Sequence, residues 1–239
     1  MESISGKLAA VTGGTRGIGR AIVERLLQEG TVVAFCGQTK ESVDRAATEL
    51  RGKGKIFGCA ADVSRPEGAR AFFQAVDGAF GGLDILVHNA GVGVFRKVGD
   101  MTPEEWHRNI DLNLNGAFYC AHEALARFRN RGGGYIVNIS SLAGKNPFTT
   151  GAAYNASKFG LNGFTEALML DHRHDNVRVT TIMPGSVATK FAGGPSDRSG
   201  DTGWMIQPED VAEAVALVLR MPARTMISSI DMRPARPKK

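Results

Sequence analysis

The feature that most constrains this fold is a glycine-rich turn between an apolar run and an amphipathic segment near the N-terminus. Residues 7–12, KLAAVT, are typical of a short buried strand, and residues 20–29 repeat apolar side chains at helical spacing. Gly13, Gly17 and Gly19 lie between the two. Glycines at such a turn let the backbone approach a pyrophosphate, and the N-terminus of the following helix attracts its negative charge. The turn therefore predicts a nucleotide-binding α/β unit at the start of the chain.

Strand-like and helix-like segments alternate along almost the whole sequence. Further apolar runs have the length and β-branched content of strands at 31–36, 55–61, 83–88, 135–139, 177–183 and 226–231. Helical patterns occupy 41–51, 67–80, 103–128, 152–170 and a segment that begins at Pro208. This order predicts an α/β fold: a single-domain, Rossmann-type doubly wound parallel sheet of about seven strands, with helices on both faces. We expect one NAD(P)-binding domain over residues 1–239, with a Gly/Ser/Asp-rich substrate flap at about 189–207.

Charge and cysteine content narrow the classes of function. The formal net charge of +5 comes in part from residues 233–239, which we interpret as a solvated basic tail rather than a nucleic-acid-binding arm. A positive balance also suits a polyanionic ligand. Cys36, Cys59 and Cys120 lie in apolar segments without CxxC spacing, as expected of reduced thiols. No apolar run has the length of a membrane span and residues 1–7 lack signal-peptide features, so we expect a cytoplasmic protein without nucleic-acid or membrane partners.

A tyrosine and a lysine in the segment 152–170 form a candidate catalytic pair. Tyr154 and Lys158 are about one helical turn apart, so a helix places them on one face. A phenol has a pKa of about 10, and a cation held against it lowers that pKa. Such a phenol can exchange a proton with a carbonyl or hydroxyl oxygen, while a serine such as Ser141 fixes the same oxygen. The plainer alternative is an exposed Tyr–Lys pair on an ordinary helix.

The end of the second predicted strand indicates which dinucleotide binds. In dinucleotide-binding folds an acidic residue here binds the adenosine ribose and disfavours a 2′-phosphate. In this chain the strand is followed by Gln38, Thr39 and Lys40, and Arg16 in the glycine turn offers a guanidinium to a phosphate. The sequence therefore favours NADP(H). NAD(H) remains the alternative, because Gln38 supplies no second cation.

Other strand ends carry polar residues with competing interpretations. Asp62 and Val63 follow the third predicted strand, at the edge where open parallel sheets bind ligands, but Asp62 also suits the turn before a helix. His88, at the end of the fourth, is more typical of a structural histidine than of an acid or base. His172 and His174 do not share a helical face, so we interpret them as part of a solvated helix end and expect no metal site.

Two asparagines fall inside the long predicted helix 103–128. Asn113 and Asn115 have poor helical propensity there, and a polar side chain can bend the turn. We therefore expect one of them to be present for a reason other than helix stability.

Together these motifs resemble the short-chain dehydrogenase/reductase family over residues 6–231. The matching segments, in family order, are TGGTRGIG, DV, NAG, the Ser…Tyr-x-x-x-Lys set, and PG followed by Thr189. The residues that the motifs and the resemblance place against the dinucleotide are Gly13, Thr15, Arg16, Gly17, Ile18, Gly19, Gln38, Thr39, Asp62, Val63, Asn89, Ala90, Gly91, Tyr154, Lys158, Pro184, Gly185, Val187 and Thr189.

The same resemblance implies roles for the candidate catalytic residues. Tyr154 matches the general acid/base, and Lys158 matches the residue that lowers the tyrosine pKa and holds the nicotinamide ribose. Ser141 matches the hydroxyl that binds the substrate oxygen. Asn113, rather than Asn115, matches the asparagine of a water-mediated proton relay through the lysine.

The activity implied is an NADP(H)-dependent transfer of a hydride between nicotinamide and a small-molecule carbonyl or secondary alcohol. The C-terminal sequence ISSIDMRPARPKK lacks the glycine-rich end of many 3-oxoacyl-[acyl-carrier-protein] reductases and is closer to NADP-dependent hydroxy-acid dehydrogenases. A 3-oxoacyl-[acyl-carrier-protein] reductase and a non-catalytic dinucleotide-binding regulatory protein are the alternatives. The helices at 103–128 and 152–172 resemble the family's shared interface, so we expect a homodimer or homotetramer. Candidate substrate contacts are Phe148, Phe191, Trp204 and Met205.

Overall fold

The computed structural model of the protein describes residues 1–191 and 202–237. Within them, seven parallel strands form one sheet in the order β3-β2-β1-β4-β5-β6-β7, which confirms the predicted doubly wound architecture. The strands are β1 Leu8–Val11, β2 Val32–Gly37, β3 Ile56–Ala60, β4 Ile85–His88, β5 Gly134–Ile139, β6 Val177–Pro184 and β7 Ser229–Met232. The main helices are α1 Gly17–Gln28, α2 Lys40–Leu50, α3 Pro66–Phe80, α4 Pro103–Ile110, α5 Gly116–Arg129, α6 Ala152–His172 and α7 Pro208–Leu219.

Helices cover both faces of the sheet with separate apolar layers. Ala9 and Val11 of β1 belong to the layer under α1, α2 and α7, whereas Ala10 belongs to the layer under α3, α5 and α6. Successive residues of a strand point to opposite faces, so a strand buried on both faces reads as a continuous apolar run. Strand order reverses between β1 and β4, and in such sheets this reversal opens a crevice at the carboxyl ends of the strands.

The long helix predicted over 103–128 contains a π-helical turn in the structure. Thr102 caps α4 through a reciprocal pair of hydrogen bonds with Glu105, and Pro103 occupies its first turn. A π-helical segment, Asp111–Asn115, then separates α4 from α5. The backbone thus stays helical over the predicted range, with a distorted turn at the asparagines as expected, and the hydrogen bonds of Asn113 described below are its cause.

The last strand also has different bounds from those predicted. It covers Ser229–Met232 rather than 226–231. The Met226 sulfur accepts a hydrogen bond from the Val179 N–H, and the Ile227 carbonyl accepts one from the Thr180 hydroxyl. Each of these bonds to β6 uses one side-chain atom, the Met226 sulfur or the Thr180 hydroxyl, so neither belongs to a backbone ladder.

Some sequence predictions fall where the structure gives no description. Residues 192–201 of the predicted flap, and Lys238 and Lys239 of the basic tail, lie outside the described residues. None of the described helices is long and apolar enough to cross a membrane. Over the same residues, no cluster of histidine, cysteine and acidic side chains has the composition of a metal site.

Candidate active site

The hydroxyl of Thr12 joins the carboxyl ends of β1 and β4. It accepts hydrogen bonds from the backbone N–H groups of Asn89 and Ala90, each at 3.0 Å, and lies 3.2 Å from Nδ1 of His88. Because its oxygen accepts two N–H groups, its single proton is left for His88 Nδ1. The imidazole is therefore the tautomer protonated on Nε2. Burial, with a smaller effect of the Lys158 charge, lowers the pKa of His88 to about 3, so it stays neutral and structural.

The glycine turn is held against the loop that follows β4. Gly13 and Gly17 have φ values of 66° and 54°, in the left-handed region that favours glycine. The Asn89 side-chain amide donates to the carbonyl oxygens of Thr12 and Gly13, both at 3.1 Å. A Cβ at Gly19 would overlap the Gly13 oxygen and the Asn89 amide nitrogen. The turn can therefore adopt this shape only with glycine at these positions.

The start of α1 has the properties of an anion-binding site. Its first turn contains no acidic residue, and Arg16 at the N-cap makes no side-chain capping bond. The N–H groups at the N-terminus are thus free of a side-chain acceptor, and the helix dipole favours negative charge there. These properties fit the pyrophosphate of a dinucleotide.

The adenosine end of the predicted crevice is exposed. Arg16, Gln38 and Thr39 are solvent-accessible, and Thr39 caps α2 through its hydroxyl. Within the described residues Arg16 forms no ion pair, so its guanidinium is available to a phosphate. Thr15 packs against Gly37, where a Cβ would overlap the threonine methyl group.

Several predicted cofactor contacts also have structural roles. Asp62 Oδ1 accepts hydrogen bonds from the Ser64 N–H at 3.0 Å and from the Ser64 hydroxyl at 2.6 Å, which closes the turn before α3. The Val63 side chain belongs to the apolar core, and Ile18 packs against the opposite apolar layer. Their contact with a dinucleotide stays a prediction.

The segment after β6 lies against the glycine turn. Gly185 extends the pairing with β7 through its N–H, and Val187 pairs with Ile206 in an isolated bridge. The Thr189 methyl carbon is 3.3 Å from the position of a Cβ at Gly17. The predicted cofactor segments therefore converge at one edge of the sheet.

Ser141 and Tyr154 meet at the carboxyl end of β5. The Ser141 oxygen accepts the Ala143 N–H at 3.1 Å, and its hydroxyl points to the Pro184 carbonyl at 3.4 Å. The Ser141 side chain also lies near enough to the Tyr154 phenol to influence its pKa. The serine is thus placed beside the phenol, as a shared contact with a substrate oxygen requires.

Lys158 is buried in the same volume. Its Nζ donates to the Ile139 carbonyl at 3.0 Å and lies 5.8 Å from the centre of the Tyr154 ring. A Cβ at Gly91 would be 3.8 Å from this nitrogen and 3.2 Å from Asn113 Oδ1. The buried lysine therefore excludes the alternative of an exposed Tyr–Lys pair.

Asn113 sits in the π-helical segment with its amide fully used. Its Oδ1 accepts the Val92 N–H at 2.8 Å, while Nδ2 donates to the Val92 carbonyl and to Ser157 Oγ, both at 2.9 Å. Asn115 makes a local bond to Asp111 only. A side chain held by a loop and by α6 explains why the helix widens at Asn113.

The protonation of the pair differs from the sequence-based expectation. Burial raises the pKa of Tyr154, and the nearby Ser141 hydroxyl offsets part of that rise. Burial lowers the pKa of Lys158 to about 8. The predicted lowering of the tyrosine pKa is absent because the ammonium is bonded to the Ile139 carbonyl rather than to the phenol oxygen. In this structure Tyr154 is a neutral phenol, which is the form that donates a proton.

Aromatic side chains surround the Tyr154 ring. Its centre lies 5.6 Å from that of Phe95, 5.7 Å from that of Phe191 and 6.4 Å from that of Phe148. Phe148 and Phe191 were predicted substrate contacts, whereas Phe95 was missed. A phenylalanine four residues beyond the NAG motif was the only signal for it.

The other two predicted substrate contacts are less accessible. Met205 is buried, and its N–H donates to the Thr202 carbonyl at 2.9 Å. Trp204 is partly exposed beside it. Both precede α7, and the structure shows no ring contact between Trp204 and Tyr154 among the described residues.

A family model for short chain dehydrogenases matches residues 7–198. A 3α-hydroxysteroid dehydrogenase of Mediterraneibacter gnavus is 34% identical over 221 residues, which cover 88% of each chain.

Solved structures of short-chain oxidoreductases and reductases are also similar to this chain. A metagenomic short-chain oxidoreductase in complex with NADP has 35% identity and a TM-score of 0.85, covering 99% of this chain and 100% of its own. The L-sorbose reductase of Gluconobacter frateurii, complexed with NADPH and L-sorbose, has 30% identity and a TM-score of 0.88, with 98% and 97% coverage. The match extends over the glycine turn, the NAG loop and the Ser–Tyr–Lys cluster, and this chain belongs to the short-chain dehydrogenase/reductase family of oxidoreductases.

Proposed function

We propose that the protein is an NADP(H)-dependent carbonyl reductase and alcohol dehydrogenase in which Tyr154 is the general acid/base. The observation that carries this proposal is the convergence of Ser141, Tyr154 and the buried Lys158 beside the glycine turn. Ketone reduction needs a hydride donor, a proton donor and a fixed carbonyl oxygen. Bound NADPH supplies the hydride.

The residues of the chain supply the remaining functions. Tyr154, neutral in its buried setting, donates its proton to the carbonyl oxygen as that oxygen gains negative charge. The Ser141 hydroxyl donates a hydrogen bond to the same oxygen and orients it. Lys158 has used one of its three N–H donors on the Ile139 carbonyl, so two remain for the ribose and the phenolate. The ammonium charge stabilises the phenolate left after proton transfer once one of these remaining donors bonds the phenolate oxygen in the loaded site.

The choice of NADP(H) rests on the adenosine end. Arg16 is exposed and unpaired within the described residues, and the end of β2 carries no carboxylate before Glu41. Both similar structures described above contain NADP or NADPH, which supports the same choice. Calorimetric titration with NADPH and NADH tests it: Arg16→Ala should weaken NADPH binding about tenfold and leave NADH unchanged. Arg45→Ala, on the exposed face of α2, is the control, and tighter binding of NADH by the unaltered protein would overturn the preference.

Turnover of a panel of ketones and 3-oxoacyl thioesters with NADPH tests the proposed activity. Oxidation of NADPH that depends on a ketone supports a carbonyl reductase, and preference for the thioesters would identify a 3-oxoacyl-carrier reductase. Tight NADPH binding without turnover of any carbonyl compound would instead indicate a non-catalytic dinucleotide sensor.

We also propose that α5 and α6 form a subunit interface. Phe118 on α5, and Phe159 and Leu170 on α6, are large apolar residues that are about half exposed. Phe118 also contacts Phe164 of α6, with ring centres 6.3 Å apart. Exposed apolar side chains on adjacent helices are typical of a subunit interface. Light scattering should give the mass of a dimer or tetramer, which Phe118→Glu reduces.

A further inference from the structure

Three phenylalanines from separate segments form what we call the aromatic collar: Phe95 after β4, Phe148 before α6, and Phe191 after β6. Phe95 meets Phe148 edge-to-face, with ring centres 5.5 Å apart and planes at 75°. It meets Tyr154 in the same way, at 5.6 Å and 87°. The proposed proton donor is thus bordered by carbon rings on several sides.

The collar is accessible rather than part of the core. Phe148 is 45% exposed and Phe191 is 37% exposed, whereas the phenylalanines of the core are fully buried. Large apolar side chains that are exposed as a group mark a binding surface. Their position beside Tyr154 indicates a substrate rather than a protein partner.

The loops that carry the collar are fixed to each other. The Arg96 N–H donates to the Thr150 carbonyl at 2.8 Å, and Arg96 pairs with Gly151 in a parallel bridge. Glycines make room for the rings: a Cβ at Gly93 would be 2.7 Å from Phe95 and 2.9 Å from Phe191. The collar is therefore a preformed surface.

Two of the charged side chains next to the collar already form ion pairs. Arg96 pairs with Glu105 at 3.5 Å, and Lys145 pairs with Asp231 at 2.8 Å. Lys97 is exposed, and an ion pair in such a position contributes little to affinity. Among the described residues of these loops, a carboxylate or phosphate on the substrate thus meets no desolvated cation.

We infer that the collar binds the apolar, preferentially aryl, substituent of the carbonyl substrate and selects against polyhydroxylated and anionic ketones. This inference rests on the proposed function, since it assigns the substrate class of the same site. A planar ring adjacent to the carbonyl can pack edge-to-face on Phe95 and Phe148 while its oxygen meets Tyr154 and Ser141.

Steady-state kinetics with NADPH test the substrate class. The unaltered protein should show kcat/KM for acetophenone about 100-fold above that for dihydroxyacetone, the ratio expected when one phenyl group is buried. Phe148→Ala should lower kcat/KM for acetophenone about tenfold, mainly through KM, and change that for acetone less than about twofold. Phe148→Leu should retain most of the preference because it keeps an apolar surface. Phe80→Ala, whose ring contacts Phe57 in another part of the molecule, is the matched control.

A binding measurement separates this inference from the proposed activity. Calorimetric titration of the NADPH-saturated protein with 1-phenylethanol involves no turnover, because the reduced cofactor cannot accept a hydride from the alcohol, and the affinity should fall about tenfold in Phe148→Ala. Collar-dependent binding without any ketone turnover would refute the activity and keep the collar assignment. Preference for dihydroxyacetone, or equal losses for acetophenone and acetone in Phe148→Ala, would overturn the collar assignment and leave the carbonyl reductase intact.

Discussion

The cofactor crevice and the aromatic collar are adjacent but are built on different principles. In the crevice, Thr12, Asn113 and Lys158 are buried polar side chains held by hydrogen bonds to backbone groups of other segments. In the collar, the side chains of Phe148 and Phe191 are exposed and make apolar ring contacts. A buried polar group that loses its partner costs much more than a partly exposed ring that loses some contact. Substitutions in the crevice should therefore disrupt the fold and the catalytic geometry, whereas substitutions in the collar should change mainly which substrate binds.

The largest effect on cofactor affinity and stability is expected from Gly19→Ala in the crevice. The new methyl group overlaps the Gly13 carbonyl oxygen and the Asn89 amide, which are fixed to each other. NADPH affinity should fall by more than about 100-fold, with a loss of about 3 kcal/mol in unfolding free energy. Calorimetry and denaturant unfolding measure both effects. Gly78→Ala is the control, because Gly78 lies in α3 with open space around it. This substitution should stabilise the protein by up to about 1 kcal/mol. Equal losses in the two variants would show that the glycine turn tolerates a side chain at Gly19.

Asn113→Ala tests whether the hydrogen bonds of the crevice determine its shape. It leaves the Val92 N–H and carbonyl without their partner, so unfolding should become easier by about 2–3 kcal/mol. Asn115→Ala removes only a bond to Asp111 and should cost less than about 1 kcal/mol. Denaturant titration of both variants measures the comparison, and a larger cost for Asn115 would show that Asn113 does not shape the π-helical segment.

His88 should make stability depend on pH. Its pKa is about 3 in the folded protein, whereas an unperturbed histidine has a pKa of 6.5, so the unfolded chain binds a proton between these values and the folded protein does not. The unfolding free energy should therefore be unaffected by His88 above about pH 6.5 and fall by about 1.4 kcal/mol for each pH unit below it, until the pH approaches the folded pKa. His88→Asn removes this titrating group. Between about pH 6 and about pH 4.5, the slope of unfolding free energy against pH should therefore fall by about 1.4 kcal/mol per pH unit, the contribution of one proton. An unchanged slope would show that His88 is protonated in the folded state.

The smallest effect on stability is expected in the collar. Phe148→Ala should change the unfolding free energy by about 1 kcal/mol or less and NADPH affinity by less than about twofold, because the ring is nearly half exposed. Thermal unfolding and calorimetry measure these quantities. A loss as large as that of Asn113→Ala would mean that the collar supports the fold rather than the substrate.

The two regions also differ in how far sequence predicts them. Gly13, Gly17 and Gly19 were predictable because their steric role depends on a turn that is local in sequence, and the Tyr154–Lys158 spacing is likewise local. Thr12 was missed because its role depends on β1 and β4 being neighbours in the sheet, although they are far apart in the chain. Phe95 was missed because loop packing sets which apolar side chains face Tyr154. The tyrosine pKa was predicted with the wrong sign because the acceptor of the lysine, the Ile139 carbonyl, carries no sequence signature.

Proton donation by Tyr154 during hydride transfer is tested most directly by a single-turnover experiment with Tyr154→Phe. NADPH-saturated protein is mixed with acetone in one experiment and with acetophenone in another. The decay of NADPH absorbance gives the rate of the chemical step with each ketone. Tyr135→Phe is the matched control, since that buried phenol on β5 bonds Thr180 of the neighbouring strand β6 at 2.9 Å. We expect Tyr154→Phe to bind NADPH within about threefold of the unaltered protein and to transfer hydride about 1,000-fold more slowly. Hydride transfer at the unaltered rate in Tyr154→Phe, with both ketones, would rule out Tyr154 as the proton donor.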